Sequence, residues 1–270
     1  MTTSKRHYGN WALVTGAARE RGLGYAFAKQ LAVSGINVIM VDILETQLAQ
    51  RAKELRETYK VQARAITLDL ANPDFMRSLL QQIDDIQIDL LICNHMFTPL
   101  DTPKILDMDL EVHHRMLDIN ARAYVTLLHT FGRQMRERKR GNIIIIASWA
   151  GFIPAPYGGA YSANKAFQIA MGEVLWYELK GTGVDVTVVA AGLMNTQGDA
   201  LSRYPKFLVA DTADVVAETL NRLGKTHLVV PGLINKLFVF VQMRLMGRRQ
   251  TINNTGIFIE KGFGKSRGPG

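Results

Sequence analysis

The chain has 270 residues, 47% of them apolar and 21% charged, with a formal net charge of +8 and a single cysteine, Cys93. That length and apolar share suit one large α/β domain and exclude a disordered or fibrous protein, while a lone cysteine excludes an intramolecular disulfide and points to a reducing cytoplasm. The charge is uneven: from Arg203 onward 11 Lys and Arg face 4 Asp and Glu, which reads as an anionic surface partner such as phospholipid, a phosphate-bearing substrate, or a solvated basic face.

Residues 1–10 are polar, carry Lys5 and Arg6, and hold no apolar stretch of signal-peptide length, so secretion is not expected. No segment reaches the roughly 20 continuous apolar residues of a spanning helix. From residue 11 the chain alternates short apolar runs with helical periodicity. Strands are expected at 11–15, 37–41, 63–68, 89–93, 142–147, 184–189 and 227–230. Helices are expected at 25–34, 46–58, 73–83, a long segment 110–138, 161–180 and 212–223. Parallel strands joined by right-handed helical crossovers make a doubly wound, seven-stranded, mainly parallel sheet with helices on both faces, in a single domain. Residues 1–230 would form that body, 231–261 a helical extension of the same domain, and 262–270, rich in Gly with Lys, Ser, Arg and Pro, a disordered tail.

The first strand ends in Thr15-Gly16, and Gly22, Leu23 and Gly24 follow where a helix must begin. Glycine there allows a tight turn and close backbone approach, so that free N–H groups at the helix start can face a pyrophosphate in a Rossmann-type βαβ unit. The second strand leads into Asp42, which can accept hydrogen bonds from an adenosine ribose and would repel a 2′-phosphate. NAD is therefore expected over NADP, although Arg19 and Arg21 in the loop can compensate a phosphate charge.

Tyr161 and Lys165 lie four apart in a helical segment and share a face, and Ser148 follows an apolar run at the carboxyl edge of the sheet, where open α/β proteins bind ligands. With Gly16, Gly22 and Gly24, Asp69 after the third strand, Asn94 after the fourth, Asn120, and Tyr161-Ser162-Ala163-Asn164-Lys165 placed 13 residues after Ser148, the chain resembles the short-chain dehydrogenase/reductase family from about residue 11 to 230. The resemblance implies hydride transfer between a nicotinamide nucleotide and a secondary alcohol or ketone. Tyr161 would be the general acid or base; a free phenol titrates near roughly 10, so the site must stabilise the phenolate, and Lys165 can do so by its charge. Ser148 would hold and polarise the substrate oxygen, and Asn120 would order a water that relays protons through Lys165. Asp69 and Leu70 would flank the adenine, Asn94 would lie beside the ribose, and Met194 and Thr196 near the carboxamide. The family's long helices, here 110–138 and 161–180, imply a homodimer or homotetramer.

Three features depart from the family pattern. Five residues separate Gly16 from Gly22 where most members have three; enoyl-thioester reductases of the same superfamily have such a loop, but they place tyrosine and lysine seven apart, and position 158 here is glycine. Ala191 stands where a proline is usual before Gly192, and Asn94-His95-Met96 replaces Asn-Ala-Gly.

Trp149, Phe152, Tyr157, Leu193 and Met194, with residues 197–209, would surround the hydride-transfer centre, and their apolar and aromatic character suggests a bulky hydrophobic substrate, steroid-like, aromatic or acyl-chain-like. Trp149 and Phe152 could instead belong to the core. Residues 231–250 mix Leu237, Phe238, Phe240 and Val241 with Lys236, Arg244, Arg248 and Arg249 and no acid. That stretch either covers the cleft or an oligomer partner, or lies on an anionic membrane surface; the chain is otherwise expected to be cytoplasmic. A non-enzymatic, nucleotide-binding regulator of the same fold is the alternative, disfavoured by the presence of both Tyr161 and Lys165. No metal site and no nucleic-acid module is recognised.

Overall fold

A computed structural model describes residues 8–99, 104–157, 160–194, 196 and 209–263. Its elements in chain order are β1 (Trp11–Thr15), α1 (Leu23–Val33), β2 (Asn37–Asp42), α2 (Glu45–Tyr59), β3 (Ala63–Thr67), α3 (Phe75–Gln82), β4 (Leu90–Cys93), α4 (Leu110–Leu117), α5 (Ala123–Glu137), β5 (Gly141–Ser148), α6 (Tyr161–Glu178), β6 (Val184–Ala191), β7 (Leu193–Met194), β8 (Val209–Ala210), α7 (Thr212–Arg222), β9 (Leu228–Val229), α8 (Leu233–Phe240) and α9 (Arg248–Phe263).

Seven strands form one parallel sheet in the order β3-β2-β1-β4-β5-β6-β9. Its residues alternate between two apolar layers. Ala12, Val14, Ile144 and Ile146 face Phe27, Leu31, Leu48 and Val215 on α1, α2 and α7. Leu13, Ile143 and Ile145 face Phe75, Tyr124, Leu127, Phe131 and Ile169 on α3, α5 and α6. Burial on both faces explains why these strands read as continuous apolar runs rather than alternating ones. Strand order reverses between β1 and β4, opening a crevice beyond their carboxyl ends, at Gly16 and Asn94.

The expected strands are all present, with ends shifted by up to two residues. The long helix is interrupted: a five-residue π turn, Asp118–Arg122, joins α4 to α5. Single π turns inside α-helices are frequent at functional sites, and this one contains Asn120. A further parallel pair, β7 with β8, aligns Leu193 with Val209 and Met194 with Ala210 beside the sheet. α9 continues through Phe263, two residues into the stretch expected as tail. Residues 197–208, expected near the substrate, lie outside the described residues, as do 1–7, 158 and 264–270.

Candidate active site

The glycine loop is shaped by two close approaches. Gly16 adopts φ +67°, a left-handed conformation, and donates its N–H to the Val41 carbonyl at 2.8 Å. A Cβ on Gly24 would lie 2.2 Å from the Gly16 oxygen and 2.6 Å from Asn94 Nδ2, so α1 can start this close to β1 only with glycine there. Asn94 clasps the turn, donating from Nδ2 to the carbonyls of Thr15 at 3.1 Å and Gly16 at 3.0 Å. Gly22 caps α1 with its N–H bonded to the Arg19 carbonyl at 2.8 Å; among the described residues no side chain caps the helix, and no acid sits in its first turn. An uncapped N-terminus with exposed Arg19 and Arg21 beside it has the donor chemistry that a pyrophosphate requires.

Asp42, at the end of β2, accepts the Ala18 N–H at 2.9 Å on one oxygen and those of Ile43 and Leu44 at 2.8 and 3.2 Å on the other. The carboxylate is thereby fixed at the mouth of the loop. Asp69 accepts the Ala71 N–H at 2.9 Å and pairs with Arg115 at 3.0 Å. The Leu70 side chain is buried in the layer with Ile66 and Phe75, so an adenine beside it would meet backbone rather than side chain. Met194 is half-buried on β7, and the Thr196 N–H donates to its carbonyl at 2.7 Å.

Ser148 ends β5, Tyr161 begins α6, and Lys165 follows one turn later on the same face. The Ser148 hydroxyl lies beside the Tyr161 phenol. Burial pushes the phenol above its ordinary value, and the neighbouring Ser148 hydroxyl opposes that rise. Lys165 is buried, with Nζ 5.7 Å from the centre of the Tyr161 ring. Its ammonium donates to the Ile146 carbonyl at 3.1 Å and to Gln168 Oε1 at 2.9 Å, and burial lowers it to about 7.

Asn120 is also buried, but its side chain points away from Lys165: Oδ1 accepts the Phe97 N–H at 2.8 Å and Nδ2 donates to the Phe97 carbonyl at 2.7 Å. The Asn120 main-chain carbonyl instead accepts from Gln168 Nε2 at 2.8 Å. Gln168 thus links Lys165 to the main chain of Asn120. Gln168 was not singled out by spacing, although a polar residue three positions after Lys165 on a buried helix face is a legible signal.

His95 is buried beneath this group, its Nδ1 2.7 Å from Thr15 Oγ1 and its ring 4.3 Å from that of Tyr124. Burial, reinforced by the Lys165 charge, lowers it to about 3. It is a neutral packing residue under the glycine turn. Exposed Met96 does not share that burial.

Of the substrate-facing candidates, Trp149 is buried with Ala150, Ile153 and Val239 and meets Phe238 of α8 edge to face at 5.3 Å. Phe152 packs on the same cluster, and its carbonyl accepts from Arg248 at 3.0 Å. Tyr157, at φ +64°, turns its hydroxyl to the Glu260 carboxylate of α9. These three residues therefore fasten the β5–α6 loop to the C-terminal helices, while Leu193 stays half-buried on β7. Among the described residues no helix is long and apolar enough to cross a membrane, and no cluster of metal-binding side chains forms.

The family model described as short chain dehydrogenase matches residues 10–204. A 7β-hydroxysteroid dehydrogenase of Collinsella aerofaciens is 31% identical over 242 residues, covering 86% of this chain and 89% of that one. A solved 7β-hydroxysteroid dehydrogenase structure superposes with a TM-score of 0.87 at 28% identity, covering 93% of this chain and 98% of the other. That of a bulky-bulky ketone specific alcohol dehydrogenase from Comamonas testosteroni does so with a TM-score of 0.74 at 25% identity, covering 86% and 91%. The family match spans well over half the chain, and with this parallel sheet it places the protein among the short-chain dehydrogenases, a family of nicotinamide-dependent oxidoreductases.

Proposed function

We propose that this protein interconverts a secondary alcohol and a ketone on a bulky hydrophobic skeleton, with NAD as the preferred partner and Tyr161 as the proton-transfer group. The observation that carries the reading is the convergence of Ser148, Tyr161 and Lys165 at the carboxyl edge of the sheet, beside a glycine turn clasped by Asn94. A bound nicotinamide nucleotide would supply or accept the hydride. Gly16, Arg19, Gly22, Leu23 and Gly24 would hold its pyrophosphate, Asp42 its adenosine ribose, and Asp69 with the Leu70 backbone its adenine. Asn94, Tyr161 and Lys165 would border the second ribose, and Met194 and Thr196 the carboxamide.

The residues divide the proton work. In the reducing direction the Tyr161 hydroxyl donates its proton to the substrate oxygen, while the Ser148 hydroxyl holds that oxygen and favours its negative charge. In the oxidising direction the Tyr161 phenolate takes the alcohol proton, and the Lys165 ammonium favours the phenolate. The raised phenol and lowered lysine mean that the resting site holds its proton on Tyr161.

The relatives' names support a large ring-bearing or doubly bulky ketone, and the extension 231–261, packed through Phe238 and Val239 on the Trp149 loop, supports a cover over the cleft. Asp42 supports NAD, because a fixed carboxylate there repels a 2′-phosphate. The test is NADH formation from a panel of hydroxysteroids and other bulky secondary alcohols, native against Tyr161→Phe, with dissociation constants for NADH and NADPH. Turnover abolished by the substitution supports the reading. Turnover that survives Tyr161→Phe overturns it, tight NADH binding without turnover favours the regulatory alternative, and equal NADH and NADPH affinities remove the NAD preference.

A further inference from the structure

We propose that Gln168 is a positioning residue: its side-chain amide ties the Lys165 ammonium to the Asn120 carbonyl and makes Lys165 a fixed charge beside Tyr161. The inference rests on the reading of Tyr161 and Lys165 given above and adds a residue to it.

Gln168 is 1% exposed, and both ends of its amide are used. Oε1 accepts from Lys165 Nζ at 2.9 Å, and Nε2 donates to the Asn120 carbonyl at 2.8 Å. The orientation is forced, since an ammonium only donates and a carbonyl only accepts, so the opposite amide flip would break both bonds. The amide therefore braces two elements, α6 and the π turn Asp118–Arg122, against each other at the depth of the site.

Two chemical consequences follow. First, Lys165 pairs with no carboxylate among the described residues; its ammonium rests on the Ile146 carbonyl from β5 and on Gln168 from its own helix. The titratable groups facing it are Tyr161 on α6 and His95 after β4, with Tyr124 of α5 stacked behind His95. None of these supplies a negative charge while protonated or neutral, so among the described residues Gln168 Oε1 and the Ile146 carbonyl are the acceptors that favour the charged form of the buried lysine. Second, a carboxamide carries no proton that titrates in the physiological range. The link from Lys165 to Asn120 holds position and charge but passes no proton.

The test reads the Lys165 charge directly in the full-length protein. The chain is labelled with [13C]lysine, the Lys165 side-chain NMR signal is assigned by its loss in Lys165→Met, and its pH midpoint is measured in the native protein, Gln168→Met and Gln168→Glu. Methionine keeps the volume and removes the acceptor, so the midpoint falls by about one pH unit; glutamate adds a charge, so it rises by about as much or more. Midpoints unchanged from the native value in either variant overturn the proposal, and the glutamate variant decides the matter should methionine fail to fold. This titration needs neither substrate nor cofactor, whereas the role of Tyr161 is read from turnover of Tyr161→Phe, so failure of one is distinguishable from failure of the other.

Discussion

The Ser148 hydroxyl lies beside the Tyr161 phenol and opposes the upward pull of burial on it. A donor that stabilises the phenolate lowers the phenol's proton affinity, so its removal must raise it. Ser148→Ala is therefore expected to lower kcat by about 10²- to 10³-fold through loss of the oxyanion donor. It should also move the rising limb of alcohol oxidation to higher pH. The pH dependence of kcat/KM checks both: a lower rate with an unmoved limb would leave Ser148 a substrate-holding role and remove its influence on Tyr161.

Lys165 has a cost in stability whose sign is fixed by its surroundings. Burial lowers it from 10.5 to about 7, so between those values the unfolded chain binds more protons than the folded one, and stability rises with pH across that window. Lys165→Met removes the buried charge. The variant should be more stable than the native protein by roughly 2 kcal/mol or more near pH 6, with the gain shrinking as pH approaches 10. Urea unfolding of the two proteins at several pH values checks this, and a gain independent of pH would contradict it.

His95 acts in the acid range. Its folded value of about 3 lies below the ordinary 6.5, so protonation favours the unfolded chain as pH falls through that interval. Stability contributed by neutral His95 is fully present above 6.5 and is lost toward 3. His95→Leu sacrifices the Thr15 hydrogen bond and should be less stable at neutral pH by about 1 kcal/mol. The deficit should narrow, and can reverse, as pH falls toward 4, which chemical denaturation at stepped pH would read.

The parallel sheet is legible because burial on both faces writes each strand as an unbroken apolar run, as at Ile143 to Ile146. The glycine turn is legible because close approach forbids a side chain at Gly24, and Tyr161 and Lys165 because helical spacing puts them on one face. What escapes a one-dimensional reading depends on contacts between distant segments. The two-residue strands β7 and β8 have no periodicity to detect. The π turn at Asn120 is tied to Phe97, 23 positions away, and Gln168 gains meaning only where α6 meets that turn. Tyr157 is expected near the hydride-transfer centre, and the carboxylate its hydroxyl meets, Glu260, lies 103 positions on.

The β5–α6 loop and the C-terminal helices meet along a seam. Trp149 and Phe238 meet edge to face at 5.3 Å, with Arg248 bonded to the Phe152 carbonyl at 3.0 Å and Tyr157 to Glu260 beside them. An edge-to-face aromatic pair contributes about 0.5–1.5 kcal/mol beyond its buried area, so Phe238→Ala should loosen the seam without unfolding the sheet, whose layers it does not enter. If α8 covers the cleft, a large substrate that touches the cover loses more than a small one. KM for a bulky alcohol should then rise by about tenfold while that for a small secondary alcohol changes by less than about threefold. Equal changes for both would mean that the extension stabilises the Trp149 loop without shaping the cleft.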